Sequence, residues 1–276
     1  MQSKVVESIG IRLEPVAILW TDQKPEVSLQ FKPGRWGCVM NMLASAAKGK
    51  TAAFDRETAG CIGGAVGLGF GNVYEKWPGG IECFYGFLSS GNPDNEKTRA
   101  LAEKLKSWLS PEGLENLLHG EGYVKSPAIA EKFVKELPVT DIPARFVVFK
   151  PLKDIDPQKD QPVVIVFLAN PDQLSALVTL YNFEGEGNRM ENVILPGGAG
   201  CHQIGVIPFN EAKSKQPRAV VGLTDLSARN QIKRQLGHDL LAFTISWKKF
   251  LQMESNVDSS FLKRNTWKQL AGEKAD

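Results

Sequence analysis

The chain has 276 residues, 42% of them hydrophobic and 23% charged, with a net charge of +2; this is the profile of a globular protein with room for one large domain or two ordinary ones. So small a charge leaves no electrostatic footprint for nucleic acid or an anionic membrane, and no apolar run approaches the roughly 20 residues that a membrane-crossing helix needs. Four cysteines are too few for a disulfide scaffold and read instead as buried, metal-bound or catalytic thiols.

Residues 1–10 are mixed polar and lack the charged-then-apolar layout of a signal peptide, so a cytoplasmic location is expected. Residues 15–20, Pro-Val-Ala-Ile-Leu-Trp, are a short apolar run and predict a buried strand. A polar loop with Pro25, Pro33 and Gly34 follows. Gly37-Cys38 then opens an apolar segment over 39–47 that Gly49 closes, which predicts a helix with Cys38 in or just before its first turn. Backbone N–H groups and the positive end of the helix dipole should lower the thiol pKa there.

Residues 51–54 predict a second strand. Residues 60–71, Gly-Cys-Ile-Gly-Gly-Ala-Val-Gly-Leu-Gly-Phe-Gly, are half glycine, and so much backbone freedom must answer a geometric need. Residues 81–88 read as an aromatic strand carrying Cys83, a buried thiol or a fourth metal ligand. Helices are predicted over 95–109 (Leu101, Ala102, Leu105, Trp108 and Leu109 on one face), from Ser110-Pro111-Glu112, and over 126–137.

In the second half, 145–150 and 161–168 predict strands. Asn170 is set to cap a helix that starts at Pro171 and runs to about Tyr181. A glycine-rich loop over 196–200 leads into Cys201. Strands are expected over 218–223 and 240–245, short helices from Asp225 and over 247–253, and a docked tail helix within 258–270 through Phe261, Leu262, Trp267 and Leu270.

A weak duplication links the two halves. Residues 15–19 resemble 162–166, Gly37-Cys38 resembles Gly200-Cys201, 51–54 matches 218–221, and 83–87 falls where 241–245 falls. The expected architecture is therefore α/β: two related α/β halves about a pseudo-twofold axis, 1–92 and 141–276, joined by a helical connector over 93–140. Cys61 has no cysteine counterpart, since Asp225 to Arg229 holds that place. A junction site would then set thiolates against Asp225 and Arg229, with Arg229 paired to an anionic centre or simply to Asp225.

Thiolates suit zinc, copper(I) and iron–sulfur clusters. Zinc structural sites usually show close Cys pairs, and none occur here. Widely spaced cysteines, each preceded by glycine, fit a 4Fe–4S cluster on Cys38, Cys61 and Cys201, with a glycine nest around Gly60, Gly63, Gly64 and Gly67 supplying N–H groups to its sulfides. One iron would stay open to water, substrate, Cys83 or His202. A redox partner protein or a small-molecule ligand would complete a redox, sensing or catalytic role. Two other classes stand beside this one: a metal-free protein that cradles an anionic ligand in the glycine loop, and a structural protein with inert buried cysteines. The glycine spacing falls short of G-x-G-x-x-G and lacks a Walker lysine, so nucleotide binding has weak support. A nucleophilic cysteine would want a base, and His202 is the histidine nearest a thiol in sequence.

Glu14-Pro15-Val16-Ala17-Ile18, Gly37-Cys38, Phe54-Asp55-Arg56-Glu57-Thr58, Gly60-Cys61-Ile62-Gly63-Gly64 and Gly67-Leu68-Gly69-Phe70 together resemble domain of unknown function family 169. Pro151-Leu152, Gly200-Cys201 and Leu223-Thr224-Asp225 through Arg229 extend the resemblance over nearly the whole chain. It implies an oxygen-poor setting, in anaerobic archaea and bacteria, where an exposed cluster is more tolerable. It implies no activity.

Overall fold

The computed structural model describes residues 1–107, 111–185, 187 and 189–272. Trp108, Leu109 and Ser110, on which two of the helix expectations drew, lie outside the described residues. The chain divides into two compact units, Met1–Phe70 with Thr140–Asp276, and Gly71–Val139. The expected connector over 93–140 falls almost wholly within the second.

Among the described residues of the first unit, seven strands form one sheet in the order β2-β3-β1-β4-β7-β6-β5. The strands are β1 (Val16–Thr21), β2 (Ala52–Phe54), β3 (Phe146–Pro151), β4 (Pro162–Ala169), β5 (Val193–Ile194), β6 (Ala219–Gly222) and β7 (Leu241–Ser246). Every neighbouring pair is antiparallel except β5 and β6. Both faces of the central strands are covered, which is why 162–169 is apolar almost throughout rather than alternating.

One face carries Ala17, Leu19, Ile165, Phe167, Phe243 and Ile245. It packs beneath α1 (Lys4–Ile9), α8 (Pro171–Tyr181), α12 (Trp247–Asn256) and the tail helix α13 (Asn265–Leu270). Trp267 is buried there and donates from Nε1 to the Ser8 carbonyl at 2.8 Å. The opposite face meets three helices: α2 (Val39–Ala46), which Cys38 precedes, packs on β2 and β3, α9 (Gly200–Ile204), which holds Cys201, on β6 and β7, and α10 (Val206–Lys213) on β4, β6 and β7. Trp20 of β1 meets Phe209 of α10 edge-on, ring centroids 5.2 Å apart. Helix α3 (Ile62–Gly67) packs on α9, and α11 (Leu226–Leu236) packs on α2.

The second unit contains α4 (Ile81–Leu88), α5 (Glu96–Leu105), α6 (Pro111–His119) and α7 (Pro127–Glu136). Residues 81–88 are thus helical, not the expected strand. A short apolar run between glycines satisfies either period, and here the helical one wins because Phe84 and Phe87, three apart, pack on one ring, Trp77, at 4.8 and 4.9 Å. Tyr74 stacks on Phe84 at 4.6 Å. This also breaks the proposed correspondence of 83–87 with β7, because a helix cannot be the counterpart of a strand. No helix among the described residues is long and apolar enough to cross a membrane.

Candidate functional site

Cys38 is the N-cap of α2, Cys61 the N-cap of α3, and Cys201 lies in the first turn of α9. Asp225 caps α11, its Oδ1 accepting from the Ser227 and Ala228 N–H groups at 2.9 and 3.3 Å. Four helix starts from distant parts of one unit therefore carry three thiols and a carboxylate.

The backbone ties these starts together in pairs. Gly37 N–H donates to the Gly60 carbonyl at 3.1 Å, joining the residue before Cys38 to the residue before Cys61. Gly200 N–H donates to Asp225 Oδ2 at 2.8 Å, joining the residue before Cys201 to the carboxylate. The glycines make the approach possible. A Cβ on Gly67 of α3 would sit 2.5 Å from the Cys201 Cβ, and one on Gly60, where φ is +83°, would sit 2.4 Å from the Gly37 oxygen. A Cβ on Gly64 would meet Val39 of α2 at 2.8 Å, and one on Gly200 would meet Ala228 of α11 at 2.9 Å and Met40 of α2 at 3.4 Å. Helices α2, α3, α9 and α11 thus close on one region.

The glycine stretch differs from the nest expected of it. Residues 62–67 are a short helix, and the Gly64 N–H is turned back to the Cys61 sulfur at 3.2 Å. Gly60, Gly64 and Gly67 serve close packing, and Gly63 alone of these four has open space around its Cα.

Electrostatics bind the group into one unit. Burial pushes the Cys38 thiol up to about 11, and the neighbouring Cys61 thiol and Asp225 carboxylate push the same way against the N–H groups of Met40 and Asn41. Burial raises Cys61 as well, with Asp225 adding to it and the N–H groups of Gly64 and Gly63 opposing. Cys201 is held well above the ordinary thiol range by burial, then by Cys61, Cys38 and Asp225. The expected lowering at helix starts is reversed because desolvation of the thiolate outweighs a few N–H donors. None of the four cysteines is in a disulfide.

The other expected participants lie elsewhere or act differently. His202 is fully buried, and burial drops its pKa to about 4, so it is a neutral imidazole and not a surface group. The Arg229 guanidinium donates to the carbonyl of Leu223 at 3.1 Å, before α11, and to those of Leu240 at 3.0 Å and His238, after it, tying the two flanks of the helix together rather than forming the ion pair with Asp225. Cys83 is buried in α4 of the second unit, where it accepts from Thr98 Oγ1 at 3.7 Å. Asp225, expected at the junction in the place where the first half has Cys61, is the side-chain cap of α11. Among the described residues, no group of three or more His, Cys, Asp or Glu side chains is set to hold a single metal ion.

A family model, DUF169, described as an uncharacterised ArCR family, matches residues 4–256, so the chain belongs to that family. No curated protein and no solved structure matches it.

Proposed function

We propose that this member of the family binds an iron–sulfur cluster, 4Fe–4S in type, on Cys38, Cys61 and Cys201, and acts in electron transfer, sensing or catalysis at the iron that no thiolate holds. The observation that carries the reading is geometric: the Gly37 N–H bonds to the Gly60 carbonyl, joining the residues before Cys38 and Cys61, and a Cβ on Gly67 of α3 would lie 2.5 Å from the Cys201 Cβ, so three helix starts that bear thiols close on one region. Three thiolates are soft donors suited to iron–sulfur chemistry. Helix starts favour the net negative charge of a thiolate-bound cluster, and a bound metal deprotonates its thiols outright. A cluster bound there would supply an electron or an open coordination site; the chain would supply the thiolates and, at Cys61, the Gly64 N–H that donates to the sulfur.

The strand order supports related halves. Toward the centre, β2-β3-β1 and β6-β7-β4 run alike, with β5 added outside β6, and β1 meets β4 antiparallel between them, as a twofold axis normal to the sheet requires. With β3 rather than 83–87 opposite β7, α2 corresponds to α9 and α3 to α11. Cys38 then pairs with Cys201, and Cys61 with Asp225.

Raised thiol pKa values favour a second reading, inert cysteines in a structural protein. Anaerobic purification with Cys61→Ser alongside the unaltered chain decides between them. Under the first reading the unaltered protein is brown and the variant loses most of its colour. A colourless protein, indifferent to Cys61→Ser, selects the second.

A further inference from the structure

We infer that the groove between the turn after β2 and the run into β3 binds a small zwitterion of the amino-acid or dipeptide class, its carboxylate on Arg145 and its ammonium on Glu57. The inference does not draw on the thiols, and it gives a use to the Phe54-Asp55-Arg56-Glu57-Thr58 run that the cluster reading leaves unexplained.

The sheet builds the place. Thr21 of β1 stands opposite Phe146 of β3, and Phe54 of β2 opposite Val147. Since β3 lies between β2 and β1, this register brings Asp22, Asp55 and Arg145 to one end of three adjacent strands. Asp22 Oδ1 accepts the Arg145 main-chain N–H at 2.9 Å. Asp55 Oδ1 accepts from the Glu57 and Thr58 N–H groups at 3.0 and 2.9 Å, which fixes the turn that carries Arg56 and Glu57. The Arg56 guanidinium lies over the Phe70 ring, 5.5 Å from its centroid, and pairs with Asp141, fastening that turn to the 141–145 run. The walls are therefore set by the protein's own contacts.

The groove has a volume of about 480 Å³, within the usual range for small-molecule sites, and its lining residues all belong to the first unit. Its charges select the ligand. Two guanidinium groups and three carboxylates line it, so a phosphate or a dicarboxylate meets net repulsion, while a molecule carrying both signs finds a partner for each. Arg56 is engaged by Asp141, and Asp22 and Asp55 hold main-chain N–H groups. That leaves Arg145 and Glu57. Among the described residues no carboxylate pairs with the Arg145 guanidinium, which lies 5.0 Å from the Phe146 ring centroid and offers a fork that fits a carboxylate. Ile142, Pro143 and Ala144 supply an apolar stretch for the carbon skeleton.

The test is isothermal titration calorimetry of the unaltered chain, Arg145→Gln and Glu57→Gln with three probes: glycyl-leucine, N-acetylglycyl-leucine and glycyl-leucine amide. Both side chains are exposed, so neither substitution disturbs the core. The unaltered chain is expected to bind glycyl-leucine about tenfold or more tightly than either blocked form, the loss that goes with one charged hydrogen bond. Arg145→Gln should weaken glycyl-leucine and the acetylated form about tenfold and leave the amide unchanged. Glu57→Gln should weaken glycyl-leucine and the amide by a similar factor and leave the acetylated form unchanged. Absence of glycyl-leucine binding, equal binding of all three probes, or variants that bind as the unaltered chain does would each overturn the inference. None of these outcomes bears on iron or sulfide content, so the cluster reading stands or falls separately.

Discussion

Gly67 and Gly63 stand four residues apart in α3 and face opposite circumstances. A Cβ at 67 would lie 2.5 Å from the Cys201 Cβ and 2.7 Å from its backbone carbon, which a core cannot absorb without moving α9. Gly67→Ala should therefore cost about 1–3 kcal/mol, the usual range for overpacking. A Cβ at 63 meets nothing within 4 Å, and Gly63→Ala should be neutral or stabilising by up to about 1 kcal/mol through helix propensity. Urea denaturation of the pair reads both; similar midpoints for the two would contradict the close crossing of α3 on α9. The sequence announced that these positions refuse a side chain, but not what refuses it. A glycine that lets two helices touch and a glycine that offers its N–H to a ligand look the same in one dimension. The thiol pKa went astray for a related reason. A helix start can be recognised from Gly-Cys and the apolar residues after it, while the desolvation that outweighs it depends on neighbours from three other segments.

At the scale of elements, local chemistry was the better guide. Asn170 caps α8 through the Gln173 N–H at 2.9 Å, and the Gln173 side chain returns a bond from the Asn170 N–H at 3.0 Å, a complete capping box. Asn170→Ala should cost about 0.5–2 kcal/mol, seen as a lower urea midpoint with an unchanged slope; no shift would mean that the box contributes nothing net. Asn95 and Ser126 cap α5 and α7 at the starts expected of the helices over 95–109 and 126–137. What failed were elements whose identity is set by tertiary partners. Residues 81–88 became a helix through Trp77 and Tyr74, which precede it. Helix α10, with Pro208 inside it, and the two-residue strand β5 carry too little local signal to stand out. Helix α1, which the mixed polar residues 1–10 do not announce, buries Val5 and Ile9 and is capped by Ser3.

Across the whole molecule, the first unit is assembled from both ends of the sequence. The chain leaves it after Phe70 and returns at Thr140, and the two crossings are adjacent: Ile142 N–H donates to the Gly69 carbonyl at 2.8 Å, and Phe70 bridges to Asp141. Replacing 71–139 with a short Gly-Ser linker should therefore give a chain that still unfolds cooperatively, monitored by circular dichroism against urea; a non-cooperative melt would show that the sheet unit does not stand alone. The pairing of 83–87 with 241–245 read from the sequence fails, because Ile81–Leu88 is a helix and Leu241–Ser246 is β7. The thiols, distant in sequence, share a Gly-Cys setting; in the fold the residue before Cys38 bonds to the residue before Cys61, and α3 crosses α9 against Cys201. The most direct measurement is iron and acid-labile sulfide in the full chain, purified and assayed without oxygen. A cubane on three cysteines predicts iron and sulfide in equal amounts, both lost together in Cys61→Ser; a full chain that carries neither, even after reconstitution with iron and sulfide, would contradict it.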